Sequence, residues 1–292
     1  DALYGLLYRM THDAERAPDM AALRTQETFA YQWSNLSAGN YLLSDPWFKA
    51  NVPRILCEEE LQVRAEWFHG KDVLDAGCGN GRWAFGFASL GANVTAVDIT
   101  PAGVEATRKA LEEFDVDKHF HVAPLEALSA HLPPRRYDLV FSWGALHHCQ
   151  SFTQAFSEVS GFVKEGGLLY LYLYGRETLD LADDVELFKL RLRFHLMPPE
   201  DKQRFLAGKA GGDPQAMHNL HDFYGPMINR RFHFAEIKKM LEHAGFQDVT
   251  RTIQDTELYI RAVKGDSRDY RARWFLPAKE PPYWFHHHRG GW

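Results

Sequence analysis

The sequence predicts an α/β protein with a mostly parallel sheet and helices on both of its faces. Short apolar runs alternate with helix-length segments between residues 71 and 174. The run at residues 168–174 is almost entirely apolar or aromatic, which is typical of a strand covered on both faces. The first run, residues 73–76, breaks into a glycine-rich turn that leads straight into a helix-like segment. These features favour a sheet built from strand–helix–strand units.

The glycine-rich turn is the most informative stretch of the chain. It holds Gly77, Gly79 and Gly81 at alternate positions, and Asp75 precedes them. Residues without a β-carbon let the backbone turn sharply and lie flat against a ligand. The helix that follows directs free N–H groups and partial positive charge toward an anionic group. Strand, glycine-rich turn and helix together indicate a nucleotide-binding site.

A second apolar run, residues 92–98, ends in Asp98, where a carboxylate can accept hydrogen bonds from both hydroxyls of a ribose. Asp75 and the three glycines form the pattern D-x-G-x-G-x-G, which resembles motif I of the class I S-adenosylmethionine-dependent methyltransferases, and Asp98 strengthens the resemblance. Residues 137–142 and 166–171 resemble the fourth and fifth strands of that family. The resemblance implies a Rossmann-like sheet of seven strands, S-adenosylmethionine as cofactor, S-adenosylhomocysteine as product, and a small-molecule acceptor of the methyl group.

The resemblance also implies which residues bind the cofactor. The glycine-rich turn would surround the methionine end, Asp98 the ribose, and Ser142 would lie in the cleft. Family members commonly place an acid after the third strand to bind adenine, but this chain has Pro124 there. We therefore expect adenine to contact Leu125, with Glu126 as the alternative that would replace the acid. The predicted cofactor-binding residues are Tyr31, Trp33, Asp75, Gly77, Gly79, Gly81, Asp98, Ile99, Leu125 and Ser142.

Residues 1–70 are predicted to form a helical N-terminal cap. One helix is expected over residues 21–33 and another over residues 53–69, with the acidic residues 58–60 on its solvated face. Phe29 and Trp33 belong to a segment that resembles the F-x-x-Q-W segment of some small-molecule methyltransferases. There an aromatic ring and an amide reach the methionine moiety. Alternatively, the two rings are core contacts one helical turn apart, and both interpretations stay open.

The candidates for a general base are histidines and a tyrosine. His147 and His148 follow the fourth strand, at the edge of the sheet where ligands bind, and a neutral imidazole can accept a proton. His218, His221 and Tyr224 are weaker candidates, in residues 175–232. A structural role for all of them is the alternative, since a thiol or amine acceptor needs no base.

The remaining segments complete the predicted division of the chain. The resemblance makes residues 175–232 a substrate-lid insertion between strands five and six, within which residues 208–212 are expected to form a flexible loop. Residues 233–265 would supply strands six and seven, and residues 266–292 an aromatic tail. The three adjacent histidines of the tail cannot all face one way, so no metal site is expected. The tail packs either on its own domain or on a second copy, which leaves a homodimer open.

Composition limits the classes of partner. Among 292 residues, 33 Lys and Arg stand against 39 Asp and Glu, a net charge of −6, and no long basic run occurs. We therefore expect no nucleic-acid partner. The 3 cysteines are widely spaced, which favours a reducing cytoplasm, and no apolar run is long enough for a membrane span. Two alternatives remain: a methyltransferase acting on RNA or protein, and a non-catalytic nucleoside-binding module on the same fold.

Overall fold

A sheet of seven strands forms the centre of the computed structural model, which describes residues 19–39, 41–134, 136–177 and 180–283. The strand order is β3-β2-β1-β4-β5-β7-β6. The strands are β1 (Asp72–Ala76), β2 (Asn93–Asp98), β3 (Lys118–Val122), β4 (Tyr137–Trp143), β5 (Val163–Leu173), β6 (Phe246–Gln254) and β7 (Leu258–Lys264). This order confirms the predicted Rossmann-like fold class.

The sheet is parallel except for β7, which runs antiparallel to both β5 and β6. In β1, Val73 pairs with Val94 of β2 on one side and with Leu139 of β4 on the other. The strand order therefore reverses between β1 and β4. Ligands of open α/β sheets bind in the crevice outside the carboxyl ends of the strands at such a reversal.

Helices cover both faces of the sheet. They are α1 (Asp19–Asn35), α2 (Pro46–Ile55), α3 (Arg82–Ser89), α4 (Pro101–Ala110), α5 (Leu128–His131), α6 (Phe152–Gly161), α7 (Leu181–Leu196), α8 (Pro199–Ala210), α9 (Pro214–Tyr224) and α10 (Phe234–His243). Successive side chains of a strand point to opposite faces, so Val73 belongs to one apolar cluster and Leu74 to the other. Among the described helices, none combines the length and apolarity needed to cross a membrane.

The prediction of one helix over residues 53–69 is wrong. Helix α2 begins earlier, at Pro46, because the Asp45 side chain accepts a hydrogen bond from the Phe48 N–H and proline suits the first helical position. The regular helix ends at Ile55, and a π-helical turn, Leu56–Glu60, follows it. Gln62 has a φ of 50°, a left-handed conformation that no helix contains.

The prediction of a solvated acidic face at residues 58–60 is also wrong. Glu59 and Glu60 are fully buried. Glu59 pairs with Lys279 at 2.8 Å, and Glu60 accepts a hydrogen bond from the Tyr170 hydroxyl of β5. Buried carboxylates need such partners, and both partners lie far away along the chain.

The insertion between β5 and β6 is more helical than predicted. Gly208, expected in a flexible loop, lies inside α8, which ends at Ala210 with Gly211 in the left-handed conformation of a C-terminal cap. Helix α1 packs on both α4 and α9. The N-terminal helix and the insertion therefore meet, and we call α1 together with α7, α8 and α9 the helical cap.

Candidate active site

The glycine-rich turn bends the chain directly after β1. The N–H groups of Gly77 and Cys78 both donate to the Val97 carbonyl of β2, at 2.8 and 2.9 Å. Gly77, Gly79 and Gly81 have φ values of 92°, 52° and 81°, a region that residues with a β-carbon rarely adopt. A β-carbon at Gly77 would also overlap the Ala145 methyl group. The bend therefore presents bare backbone toward the crevice between β1 and β4.

Asp98 links this bend to the start of α4. Its Oδ2 accepts a hydrogen bond from the Gly79 N–H at 3.0 Å, and its Oδ1 accepts from the Thr100 N–H at 2.8 Å and hydroxyl at 2.7 Å. Burial raises the pKa of this carboxyl, while the three hydrogen bonds oppose the rise. An ionised carboxylate offers about four acceptor positions. Three are used, so acceptor capacity remains on the side of the crevice.

Asp75 lies beneath the bend and is fully buried. Burial and the charge of Asp98 raise its pKa to about 7, and a hydrogen bond from the Ala84 N–H only partly opposes this. Its Oδ2 has no hydrogen-bond partner in the described part of the chain. Asp75 is thus an incompletely paired, buried acid next to Asp98.

The helical cap lies over the bend. A β-carbon at Gly79 would come within 2.8 Å of the Trp33 ring of α1. In the same helix, the Thr25 hydroxyl accepts hydrogen bonds from the N–H groups of Met227 and Ile228, at 3.1 and 3.0 Å. The Thr28 hydroxyl donates to the Gly225 carbonyl at 3.0 Å. The cap is thus hydrogen-bonded into one structure although its parts are about 200 residues apart.

A cavity of about 670 Å³ lies between the cap and the carboxyl ends of the strands. Its volume falls within the range of about 300–1,000 Å³ for small-molecule sites. The bend and Asp98 line one end, and residues after β4 and β5 line the other. Its wall includes Phe29, Gln32, Trp33, Gly77, Gly79, Arg82, Asp98, Ile99, Leu125, Trp143, His148, Tyr172, Tyr174, His218 and Asp222.

His148 is the histidine after β4 that reaches the cavity. Its Nδ1 lies 2.6 Å from the Ile228 carbonyl oxygen. A carbonyl can only accept, so Nδ1 carries the proton and Nε2 carries the lone pair in the neutral ring. Burial lowers the pKa of His148 to about 3, although the Ile228 carbonyl works against the shift. The imidazole is therefore neutral at pH 7, with one nitrogen able to accept a hydrogen bond.

Aromatic rings form the wall beside His148. Trp143 at the end of β4 stacks on Tyr172 of β5, with ring centroids 4.1 Å apart. The Arg82 guanidinium lies 4.4 Å from the Trp143 ring centroid. The Tyr174 hydroxyl lies 3.4 Å from Oδ2 of Asp222, at the limit of a hydrogen bond. A flat apolar ligand would find stacking surfaces here, with polar groups at their margin.

Eight of the fifteen predicted site residues line this cavity. They are Trp33, Gly77, Gly79, Asp98, Ile99, Leu125, His148 and His218. Leu125 starts a short 3₁₀ turn after β3, and the backbone carbonyl of Ile99 lies 3.5 Å from the Gln26 amide nitrogen of α1. The structure thus brings together residues from α1, β2 and the segments after β1, β3 and β4.

The other seven predicted residues lie outside the lining. Gly81 precedes α3 and faces Thr107, while the Ser142 hydroxyl donates to the Ala76 carbonyl at 2.8 Å. Tyr31 stacks on His221 at 5.2 Å, on the far side of α1. The remaining three predicted residues, His147, Tyr224 and Asp75, are buried and do not line the cavity. Within the described part of the chain, neither ring nitrogen of His147 has a hydrogen-bond partner.

Sequence reasoning missed several residues of the wall as site residues. Arg82 directly follows the third glycine, and Tyr172 lies at the carboxyl end of β5, so their positions along the chain were usable signals. Asp222 and His218, the latter predicted only as a weak candidate for the base, reach the cavity through the packing of α9 against α1, which no local pattern reveals. Among the described residues, no cluster of histidine, cysteine or acidic side chains could hold a metal ion. The histidines at 286–288 lie outside the described residues.

The fold and the cavity define a nucleoside-binding α/β enzyme, and comparisons with known proteins agree. The family model described as "Methyltransferase domain" matches residues 73–167. A ubiquinone biosynthesis O-methyltransferase of Xanthomonas euvesicatoria is 28% identical over 211 residues, which cover 70% of this chain and 77% of the relative. The corresponding protein of Methylocella silvestris is 33% identical over 154 residues, covering 53% and 59%.

A solved structure shares the fold. The magnesium protoporphyrin IX methyltransferase of Synechocystis PCC 6803, crystallised with bound S-adenosylhomocysteine, superposes with a TM-score of 0.51. It is 17% identical, and the match covers 84% of this chain and 100% of that one. The methyltransferase-domain match and the named relatives support a class I S-adenosylmethionine-dependent methyltransferase, as the motif predicted, and S-adenosylmethionine is the cofactor of this class.

Proposed function

We propose that this enzyme methylates a hydroxyl oxygen of a small, ring-containing acceptor, and that His148 accepts the hydroxyl proton. The observation that carries the proposal is the fixed tautomer of His148 on the cavity wall. Its Nδ1–H is bonded to the Ile228 carbonyl at 2.6 Å, so Nε2 is the nitrogen left to accept a proton. The relatives named as O-methyltransferases support an oxygen acceptor.

The cofactor fits the end of the cavity at the glycine bend. Gly77 and Gly79 line this end beside the proposed position of the amino-acid part, and Asp98 keeps acceptor capacity for a ribose hydroxyl. Ile99 and Leu125 supply apolar contacts for the adenine ring. The carboxylate of Asp98 lines this end of the cavity and matches the positive charge of the ligand. When bound, S-adenosylmethionine supplies an activated methyl group.

His148 would serve as a proton acceptor of low basicity. Its burial lowers the pKa to about 3, so it cannot deprotonate a free phenol to any large extent. An ether oxygen that still carries its proton is a far stronger acid than a phenol. The Nε2 atom therefore orients the hydroxyl group first and takes its proton as the new carbon–oxygen bond forms. Such positioned proton transfer typically contributes about 10²–10⁴-fold to the rate.

The cavity wall favours a neutral acceptor with a flat apolar ring. Phe29, Trp143 and Tyr172 offer ring faces for stacking. Among the described residues of the wall, the carboxylates Asp19, Asp98, Glu126 and Asp222 stand against the single guanidinium of Arg82. A polyphosphate or an RNA strand would meet repulsion there, whereas a phenol would not. Magnesium protoporphyrin IX, after which the Synechocystis enzyme is named, is also a flat ring system.

The proposal is tested by mass spectrometry with methyl-deuterated S-adenosylmethionine. The acceptors are a panel of phenols and catechols beside matched anilines and thiophenols. We expect a deuterated methyl group on phenolic oxygen, and a fall in kcat of about 10²–10⁴-fold for His148→Gln. His243→Gln, at an exposed position at the end of α10, is the matched control and should keep full activity. Transfer only to nitrogen or sulfur, or an unchanged kcat for His148→Gln, would contradict the proposal.

A further inference from the structure

Helix α9 contributes a polar face to the cavity, whereas β4 and β5 contribute aromatic rings. Gln215, His218, Asn219 and Asp222 all line the cavity. Their spacing of three and four residues places them on one side of the helix. A ligand that stacks on the rings therefore needs polar substituents to match the side chains of α9.

A chain of hydrogen bonds fixes the orientation of the Asn219 amide. The Tyr41 backbone N–H lies 3.2 Å from Gln215 Oε1, and a backbone N–H can only donate, so this oxygen is the acceptor. Gln215 Nε2 is then a donor, and it lies 2.6 Å from Oδ1 of Asn219. The Asn219 oxygen is thus engaged within α9. Its Nδ2 group is left to donate a hydrogen bond to a ligand in the cavity.

Asp222 supplies an acceptor beside this donor. The Tyr174 hydroxyl lies 3.4 Å from Asp222 Oδ2, and burial raises the pKa of Tyr174 well above its ordinary value, so the tyrosine keeps its proton and donates. A carboxylate offers about four acceptor positions, which leaves capacity for a ligand. The Tyr174 ring also lies 5.7 Å from the His148 ring, measured between centroids. Asp222 therefore lies close to the proposed proton acceptor.

The two side chains together select one kind of substituent. Asn219 and Asp222 are three residues apart on the helix, a spacing that puts the β-carbons about 5–6 Å from each other. A hydroxyl group between them can accept from the amide and donate to the carboxylate at the same time. An ether oxygen can only accept, and a bare ring carbon does neither.

We propose that Asn219 and Asp222 determine acceptor specificity by binding a second hydroxyl group on the ring of the acceptor. The inference rests on the proposed function, in which His148 faces the hydroxyl group that receives the methyl. Asn219 donates to the second hydroxyl and Asp222 accepts from it. No proton is transferred, and neither residue contacts the cofactor.

The test measures the binding of small probes to the protein saturated with S-adenosylhomocysteine, by titration followed in NMR spectra. The probes are phenol, 1,2- and 1,3-dihydroxybenzene, and the monomethyl ether of each dihydroxybenzene. In the parent, the better-bound dihydroxybenzene should bind about tenfold or more tightly than its own ether, because the ether cannot donate to Asp222. Equal affinities for the two would overturn the inference.

Two variants separate the two hydrogen bonds. Asp222→Asn should weaken the dihydroxybenzene by about fivefold or more, and should not weaken its ether or phenol. Asn219→Leu should weaken the dihydroxybenzene and its ether alike, by about threefold or more, and leave phenol within about twofold. Asp183→Asn, at an exposed position of α7 outside the cavity wall, is the matched control and should bind every probe as the parent does.

The affinity for S-adenosylhomocysteine keeps the two proposals apart. Each variant should bind this ligand within about twofold of the parent, which also shows that the variant is folded. A loss of this affinity in Asn219→Leu would assign the residue to the cofactor and overturn the inference, as would equal losses for all probes. Failure of the parent to bind phenol would contradict the proposed function as well.

Discussion

The Trp33 indole of α1 rests directly on Gly79 of the bend after β1: a β-carbon on this glycine would lie 2.8 Å from the indole Cζ2 atom. The glycine therefore meets two demands, a left-handed φ of 52° and contact with a large ring. Gly79→Ala should displace Trp33 or the bend and weaken S-adenosylhomocysteine binding by about tenfold or more, measured by calorimetry.

Gly70→Ala is the matched control for this change. Gly70 also has a positive φ, of 68°, but a β-carbon there would meet no atom within 4 Å. The control variant should lose melting temperature through backbone strain and keep its affinity for the ligand. If both variants bind S-adenosylhomocysteine equally well, the contact between Trp33 and Gly79 has no part in the site.

Replacing Asp75 by asparagine should stabilise the ligand-free protein, and more so at high pH. The pKa of Asp75 is raised to about 7 in the folded protein, well above its value in the unfolded chain. Between about pH 4 and pH 7, the folded state keeps a proton that the unfolded chain has lost. The free energy of unfolding therefore falls as the pH rises through this range to 7. An asparagine amide cannot ionise, so the gain in melting temperature of Asp75→Asn should be larger at pH 8 than at pH 5. Asp115→Asn, at an exposed site, should show no such dependence. A gain for Asp75→Asn that does not grow with pH would contradict the buried charge.

His147→Phe should keep activity and gain stability in mild acid. Both ring nitrogens of His147 lack hydrogen-bond partners in the described part of the chain, and the ring stacks on Tyr174 at 4.0 Å. Burial and nearby positive groups lower its pKa well below the usual value. As pH falls below about 6.5, only the unfolded state takes up this proton, so the parent loses stability. The variant's melting temperature relative to the parent should therefore rise between pH 7.5 and 5.5, and a large loss of kcat would restore His147 as a catalytic candidate.

The rate should show no titration of His148 near neutral pH. Its pKa is lowered to about 3, so Nε2 stays unprotonated throughout the range in which the protein is folded. Between pH 5 and 9, any fall in kcat toward low pH should therefore be the same in the parent and in His148→Gln. An inflection near pH 6.5 that this variant removes would mean that His148 is far more basic than its burial allows.

The sequence was sufficient to predict structural features whose determining residues lie close together along the chain. The bend after β1 follows from the glycine spacing. Thr100 and Pro101 mark the start of α4, where the Thr100 side chain accepts a hydrogen bond from the Gly103 N–H. The same kind of signal at Asp45 and Pro46 marks the start of α2, and it was overlooked in favour of a helix at residues 53–69.

Contacts between residues that lie far apart along the chain could not be predicted from the sequence. Glu59 looked solvated because Lys279, which pairs with it, lies 220 residues away. His218 and Gln32 are separated by 186 residues, and only the packing of α9 on α1 brings them together. His147 and His148 are neighbours with the same local pattern, yet only His148 lines the cavity. Which of two adjacent side chains faces a ligand depends on the backbone of a short 3₁₀ turn, Leu146–His148, rather than on residue type.

The location of the cofactor is tested most directly by calorimetric titration of S-adenosylhomocysteine into the parent, Asp98→Ala and Thr100→Val. The parent should bind one equivalent, and Asp98→Ala should bind more weakly by about 1–3 kcal/mol because buried donors and the ribose lose their acceptor. Thr100→Val removes one donor to the same carboxylate but keeps its charge, and should bind within about threefold of the parent. No binding by the parent, or equal binding by Asp98→Ala, would contradict a cofactor site at the bend after β1.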